Sequence, residues 1–168
     1  MAEQVKVVSY NCRGFPKMTS KIWSKPTLNM LMQDNSIDII CLQETFLSKQ
    51  DLGCLNSIYT DFQGVGTSTT DARNKIISGH PPGRVAILYR VKHSKSISPI
   101  YFNLDWVVGI NISSGNKKHV ILYVYMKTTS GGQDALWKLC VICIYLFCFT
   151  TIINSGLCFL SDHAVSIY

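Results

Sequence analysis

"IDIICLQETFL", residues 37–47, is an almost unbroken apolar run that stops on Gln43, Glu44 and Thr45. A strand that is apolar on both faces is one that is covered on both faces, so residues 37–42 are expected to form a buried strand of a layered domain. In open α/β sheets the ligand crevice lies outside the carboxyl ends of the strands, and Glu44 would stand there. A lone glutamate beyond a strand is ordinarily just a solvated residue. "SYNCRGF", residues 9–15, supplies a companion, because Asn11 follows the alternating strand pattern of residues 5–10 in the same way. Asn11 and Gly14 could serve only the turn, since both residue types tolerate left-handed backbone. Together with Glu44, Asn11 could equally present an amide to a site.

Outward from these two strands, the pattern alternates strands with helices and predicts an α/β layered domain. Residues 27–33, after Pro26, suit a short helix with Leu28, Leu31 and Met32 on one face. Ser48 could cap a second helix through Leu52, Leu55 and Ile58, with Asp51 completing an approximate capping box. Further strands are expected at residues 62–65, 85–90, 106–112 and 119–125. The Ser-, Thr-, Gly- and Pro-rich residues 66–83 read as a long loop of the kind that often carries function.

At 168 residues the chain has room for one domain with a real core. Sixteen Lys and Arg against ten Asp and Glu give a net charge of +6, which favours a polyanionic partner, either nucleic acid or anionic lipid. Seven cysteines are an odd number and several lie in apolar runs, so a disulfide framework is not expected. With no secretory leader in the sequence, they point to an intracellular, nuclear or cytoplasmic protein. Cys140 and Cys143 have finger spacing but no second pair, and read as small buried hydrophobes. Every Lys and Arg lies at or before Lys138, and residues 139–161 carry no ionisable Asp, Glu, Lys, Arg or His. That run is long enough for a membrane-spanning helix; its alternative is translated non-homologous sequence.

"SYNCRGF", "DIICLQETFL" with "DLGCLNSIYTDFQGVGTSTTDA", "SGHPPGRVAILYR", and "VVGINI" followed by "VILYVYM" occur in this order between residues 5 and 127. In that order they resemble the endonuclease/exonuclease/phosphatase superfamily, and within it the apurinic-type endonuclease domain of non-LTR (LINE-like) retrotransposons. The resemblance implies an incomplete four-layer α/β sandwich, with residues 1–130 as a partial domain, 131–160 as an atypical apolar segment and 161–168 as a remnant of the final strand. It implies that Glu44 is the metal ligand for Mg²⁺ or Mn²⁺, helped by Asn11, and that Asn11, Tyr125, Asp162 and His163 are catalytic. DNA is the implied partner, with Arg84, Arg90 and Lys92 among the phosphate contacts and Arg73, Lys75, Lys95, Lys117 and Lys118 as further cations.

Several positions depart from the family pattern. Tyr123 stands where Asn is common, Lys127 where Pro is, Arg84 where a second Gly is usual, and Trp106 where Arg often follows Asp. The Asp-x-Asn motif that positions the attacking water is missing downstream of Tyr125. A weak or inactive nuclease follows, with an unfinished second sheet that would expose residues 85–88 and 121–124. Two other function classes stay open: a phosphoesterase of the same superfamily acting on a small phosphoester or lipid, and a non-enzymatic, membrane-associated remnant. His80, His93 and His119 are expected to be solvated and without a role.

Overall fold

Residues 5–15, 26–68, 84–127, 137–147, 157–159 and 165–167 are described by a computed structural model. The run that opens at Ile37 becomes strand β2 (Ile39–Gln43), every residue of it buried. It pairs in parallel with β1 (Val5–Asn11), and helix α1 (Pro26–Gln33) lies between them in the chain. Proline opens the helix, where its missing N–H costs nothing. Leu28 and Met32, four residues apart, form its buried face, while Met30 on the other side is 69% exposed. β3 (Phe62–Gly66) and β4 (Ala86–Arg90) are antiparallel to each other, and β4 is antiparallel to β2.

The second half of the chain builds a separate sheet by antiparallel steps: β5 (Ile97–Ile100), β6 (Val107–Ser114), β7 (Lys117–Lys127), β8 (Trp137–Phe147) and β9 (Leu157–Phe159). A last strand, β10 (Val165–Ile167), returns to the first sheet beside β1. The sheet orders are β10-β1-β2-β4-β3 and β5-β6-β7-β8-β9.

Period-two alternation decides which side chains meet. Val7, Ile39, Cys41, Val65, Ile87 and Tyr89 on one sheet face Val108, Ile110, Ile121 and Tyr123 on the other, forming a single core between the layers. The alternate residues Val8, Ile40, Leu42, Ala86 and Leu88 turn outward against Leu28 and Met32 of α1 and against Leu55 and Ile58. Each fully buried Ile or Leu contributes about 2 kcal/mol, so both faces of β2 help hold the fold. Gly64 is required by this packing: a Cβ there would lie 2.6 Å from a Leu88 methyl and 2.8 Å from Leu55 Cβ.

This architecture corrects the α/β expectation and its incomplete four-layer α/β sandwich. The described chain is mostly β, two five-stranded sheets with one α-helix. Two local readings account for the difference. The Ser48 segment forms only a 3-10 turn, Leu52–Asn56, because Ser48 Oγ donates to Asp51 Oδ2 (2.6 Å) instead of capping a helix. The described parts of the apolar run of residues 139–161, namely 139–147 and 157–159, are strands and not helix. Its Val, Ile and aromatic residues suit a strand, and β8 pairs with β7 along its whole length, from Lys127↔Trp137 to Lys117↔Phe147. Pairing there covers the edge that β7 would otherwise leave open. Among the described residues no helix is long and apolar enough to cross a membrane. Ile87 and Ile121, expected to be exposed on an unfinished sheet, are buried.

Candidate functional site

The parallel pairing of β1 and β2 brings their carboxyl ends together, with Asn11 opposite Gln43. β4 runs the other way, so its approach, not its end, reaches the same edge: Arg84 accepts the Thr45 N–H on its carbonyl (3.2 Å). The second sheet contributes Tyr125, whose hydroxyl donates to Glu44 Oε1 at 2.6 Å. Asn11, Glu44, Arg84 and Tyr125 therefore share one end of the two-layer core, although up to 114 positions separate them in sequence.

The backbone at this end is strained. Arg13 (φ 44°), Glu44 (φ 52°), Phe46 (φ 54°) and Arg84 (φ 66°) are the non-glycine residues with left-handed backbone among the described residues, and all four lie here. Each costs about 1–2 kcal/mol, and such conformations gather at sites where a side chain must be aimed against local preference. The turn is held by bonds between the two strand exits: Cys12 N–H to Gln43 O (2.9 Å), Gly14 N–H to Glu44 O (2.7 Å) and Phe15 N–H to Thr45 O (2.7 Å). Gly14 (φ 89°) lets the Phe46 ring close over it, since a Cβ would meet that ring at 3.0 Å.

Glu44 is half-buried, and Tyr125 is 3% exposed. Burial, and then the Glu44 hydrogen bond and charge, push the Tyr125 phenol well above its ordinary range, so it keeps its proton and donates. Asn11 Oδ1 accepts the Arg13 N–H (2.9 Å), so the NH₂ end of the amide is its donor group. Arg84 is 3% exposed; its Nη1 donates to the Phe46 carbonyl (2.6 Å), bracing the turn from below. Burial lowers the pKa of that guanidinium, with Asp105 and Asp51 opposing the shift.

Two residues given no site role in the sequence analysis, Ser9 and Tyr123, lie on the same two strands. Ser9 Oγ and Tyr123 Oη are 3.1 Å apart, and Tyr123 is fully buried. They sit two positions before Asn11 and Tyr125 on their respective strands, so period two alone could have found them. The Ser9–Tyr123 and Glu44–Tyr125 bonds tie the two sheets together through an otherwise apolar layer.

The basic candidates separate. Arg90 and Lys92 lie at the opposite end of β4. Arg90 donates Nε to Ile37 O (2.8 Å) and Nη2 to Asp34 O (2.7 Å), and its guanidinium sits 4.7 Å from the centre of the Phe62 ring. It closes the carboxyl end of α1, a favourable place for a cation. Lys92 Nζ is 2.7 Å from the buried carboxylate of Asp38, and His93, expected to be solvated, donates Nε2–H to the same oxygen at 2.9 Å. Asp162, His163, Arg73, Lys75 and most of the 66–83 loop lie outside the described residues.

Among the described residues no three His, Cys, Asp or Glu side chains gather as a metal cage. Among the described residues the oxygen ligand at this end is the Glu44 carboxylate, since Asn11 Oδ1 already accepts the Arg13 N–H. That ligand fits a hard cation held by one carboxylate and completed by water and a bound phosphate, which is how Mg²⁺ is commonly bound. The chain matches no family model, no curated protein and no solved structure.

Proposed function

We propose that the chain is a metal-dependent phosphodiester hydrolase-like domain of the retrotransposon-endonuclease kind, with weak or no turnover on DNA. The observation that carries this reading is the Tyr125–Glu44 bond: a carboxylate aimed from a strained strand exit and fixed by a tyrosine from the opposite sheet, beside Asn11. The motif order from residue 5 to residue 127 and the net charge of +6 support it.

Glu44 would hold Mg²⁺ or Mn²⁺. Such an ion polarises a phosphoryl oxygen and stabilises a departing oxyanion. Tyr125, protonated at any physiological pH, orients the Glu44 carboxylate by donating to Oε1, and Oε2 would be the metal ligand. The Asn11 amide offers N–H donors to a phosphate oxygen at the same edge. No side chain of the Asp-x-Asn kind stands downstream of Tyr125 to prepare water. Loss of such a group slows related reactions by about 10²- to 10⁴-fold, which is why turnover is expected to be poor.

Titration of Mn²⁺ into wild type and Glu44→Gln tests the site. The variant should bind at least about tenfold more weakly, the lower range for losing part of a metal shell. Equal affinities overturn the reading. Supercoiled and abasic plasmid, run beside a soluble phosphodiester, tests the turnover: strong nicking that vanishes in Glu44→Gln would show an active nuclease, and cleavage of the small ester alone would move the chain to the other branch of substrates.

A further inference from the structure

The connection between β5 and β6, residues 101–106, exposes Tyr101 (73%), Leu104 (40%) and Trp106 (39%) to solvent. A single exposed apolar residue means nothing, but three within one six-residue connection are unusual. They are not needed to anchor the connection. Phe102 already does so, packed against Val107 and Val124. The end of the connection is bonded directly to site residues: the Arg84 N–H donates to Asp105 O (2.8 Å), and the Tyr125 N–H donates to Trp106 O (2.9 Å). Trp106 is therefore fixed in place next to the tyrosine that orients Glu44, while its ring remains partly in water. Across the same end, the exposed Arg13 carries a positive charge beside Asn11.

We infer that Trp106, with Tyr101, is a stacking platform for unpaired bases of a nucleic-acid strand whose phosphates pass Arg13 and the Glu44 edge. The inference rests on the proposed reading of that edge as a phosphodiester site, and names its substrate as a strand with accessible base faces. Aromatic rings beside a cation are the combination that binds single strands without sequence readout, because every base has a stackable face. A protein partner fits less well. Specific protein interfaces bury roughly 800 Å² on each side, far more than three side chains supply.

The test is binding of a fluorescein-labelled oligothymidylate and of a blunt duplex of equal length, at low salt in EDTA, so that metal plays no part. One stacked base is worth about a 5- to 150-fold change in affinity. Trp106→Ala should weaken oligothymidylate binding within that range, Trp106→Phe should retain most of it, Tyr101→Ala should lose a smaller share, and duplex binding should change little in any of them. Equal losses for strand and duplex, or unchanged strand binding in a folded Trp106→Ala, overturn the inference. So does a wild type that does not bind the oligothymidylate. So does sedimentation showing that Trp106→Ala merely separates copies of the chain. Should Trp106→Ala fail to fold, Tyr101→Ala still decides: oligothymidylate binding unchanged in that variant overturns the inference. Failure of the Mn²⁺ titration with intact strand binding would sink the metal site alone, and the converse would sink the platform alone.

Discussion

The two ends of the first sheet use the same residue types for opposite purposes. At one end Asp38 is 5% exposed and is satisfied from three directions: the Lys6 N–H (3.0 Å), Lys92 Nζ (2.7 Å) and His93 Nε2 (2.9 Å). Burial raises its pKa, but those donors outweigh burial and hold it below the ordinary carboxylate value. Arg90 beside it bonds the Asp34 carbonyl just past α1 and the Ile37 carbonyl ahead of β2. At the other end Glu44 is half-buried, takes one hydrogen bond from Tyr125, and stands on backbone that is left-handed at four non-glycine positions. A carboxylate saturated by relaxed surroundings secures the fold. One that is aimed under strain and left partly open is available to a ligand.

That contrast breaks first at Asp38. Asp38→Ala leaves a half-buried backbone N–H and a mostly buried histidine without their acceptor, and should cost about 2–3 kcal/mol of unfolding free energy. Urea denaturation measures it. Because the Asp38 pKa is depressed in the folded chain, its contribution is fully present above the unfolded value near 3.8 and is lost as pH falls through the lower folded value. The wild type should therefore lose stability below pH 3.8 by an amount that Asp38→Ala does not show. A variant as stable as wild type would mean the far end does not secure the fold.

Tyr125→Phe should cost less, about 1 kcal/mol for one hydrogen bond. Its clearer signature is spectroscopic. The Tyr125 phenol is raised by burial and by Glu44, so its stabilising bond persists below the unfolded value of 10.0 and fades only as pH climbs above it. Removing the ring hydroxyl should leave the tyrosinate absorbance that develops near pH 10.0 unchanged in the folded protein. A drop in that absorbance would show that Tyr125 ionises normally and does not hold Glu44.

The smallest effect is expected at Glu44 itself. Glu44→Asn loses the Tyr125 bond but places at φ 52° a residue that tolerates left-handed backbone, so gain and loss nearly cancel and stability should change by less than about 1 kcal/mol either way. Thermal denaturation reads this. A loss beyond about 2 kcal/mol would put Glu44 in the same structural class as Asp38 and erase the difference between the ends.

Much of the local structure could be read in the chain. Alternating apolar residues gave β1, β3, β4, β6 and β7 within a few positions, and Pro26 with Leu28 and Met32 gave α1, because these patterns report burial on one or two faces directly. Strand β5 was not anticipated, since Ile97 is its one buried residue and Pro99 argues against a strand. The apolar stretch at residues 139–161 looked like a membrane helix because hydropathy measures how apolar a segment is and not what it pairs with; for its first part, up to Phe147, β7 supplied the partner. Arg90 and Lys92 looked like phosphate contacts because charge says nothing of whether a carbonyl or a buried aspartate already takes it.

The sequence by itself determined that two strands end in polar residues, at Asn11 and at Gln43-Glu44, and that Tyr125 closes an alternating run. Only the tertiary structure decided that these ends coincide. Parallel pairing of β1 with β2 fixes which ends meet, and the facing of two sheets fixes that Tyr125 reaches Glu44 across 81 positions of chain. Contacts that distant depend on register and layer packing, which no local window of sequence encodes, and the left-handed φ of Glu44 is held by bonds from Gly14 and Tyr125 that its own neighbours could not supply.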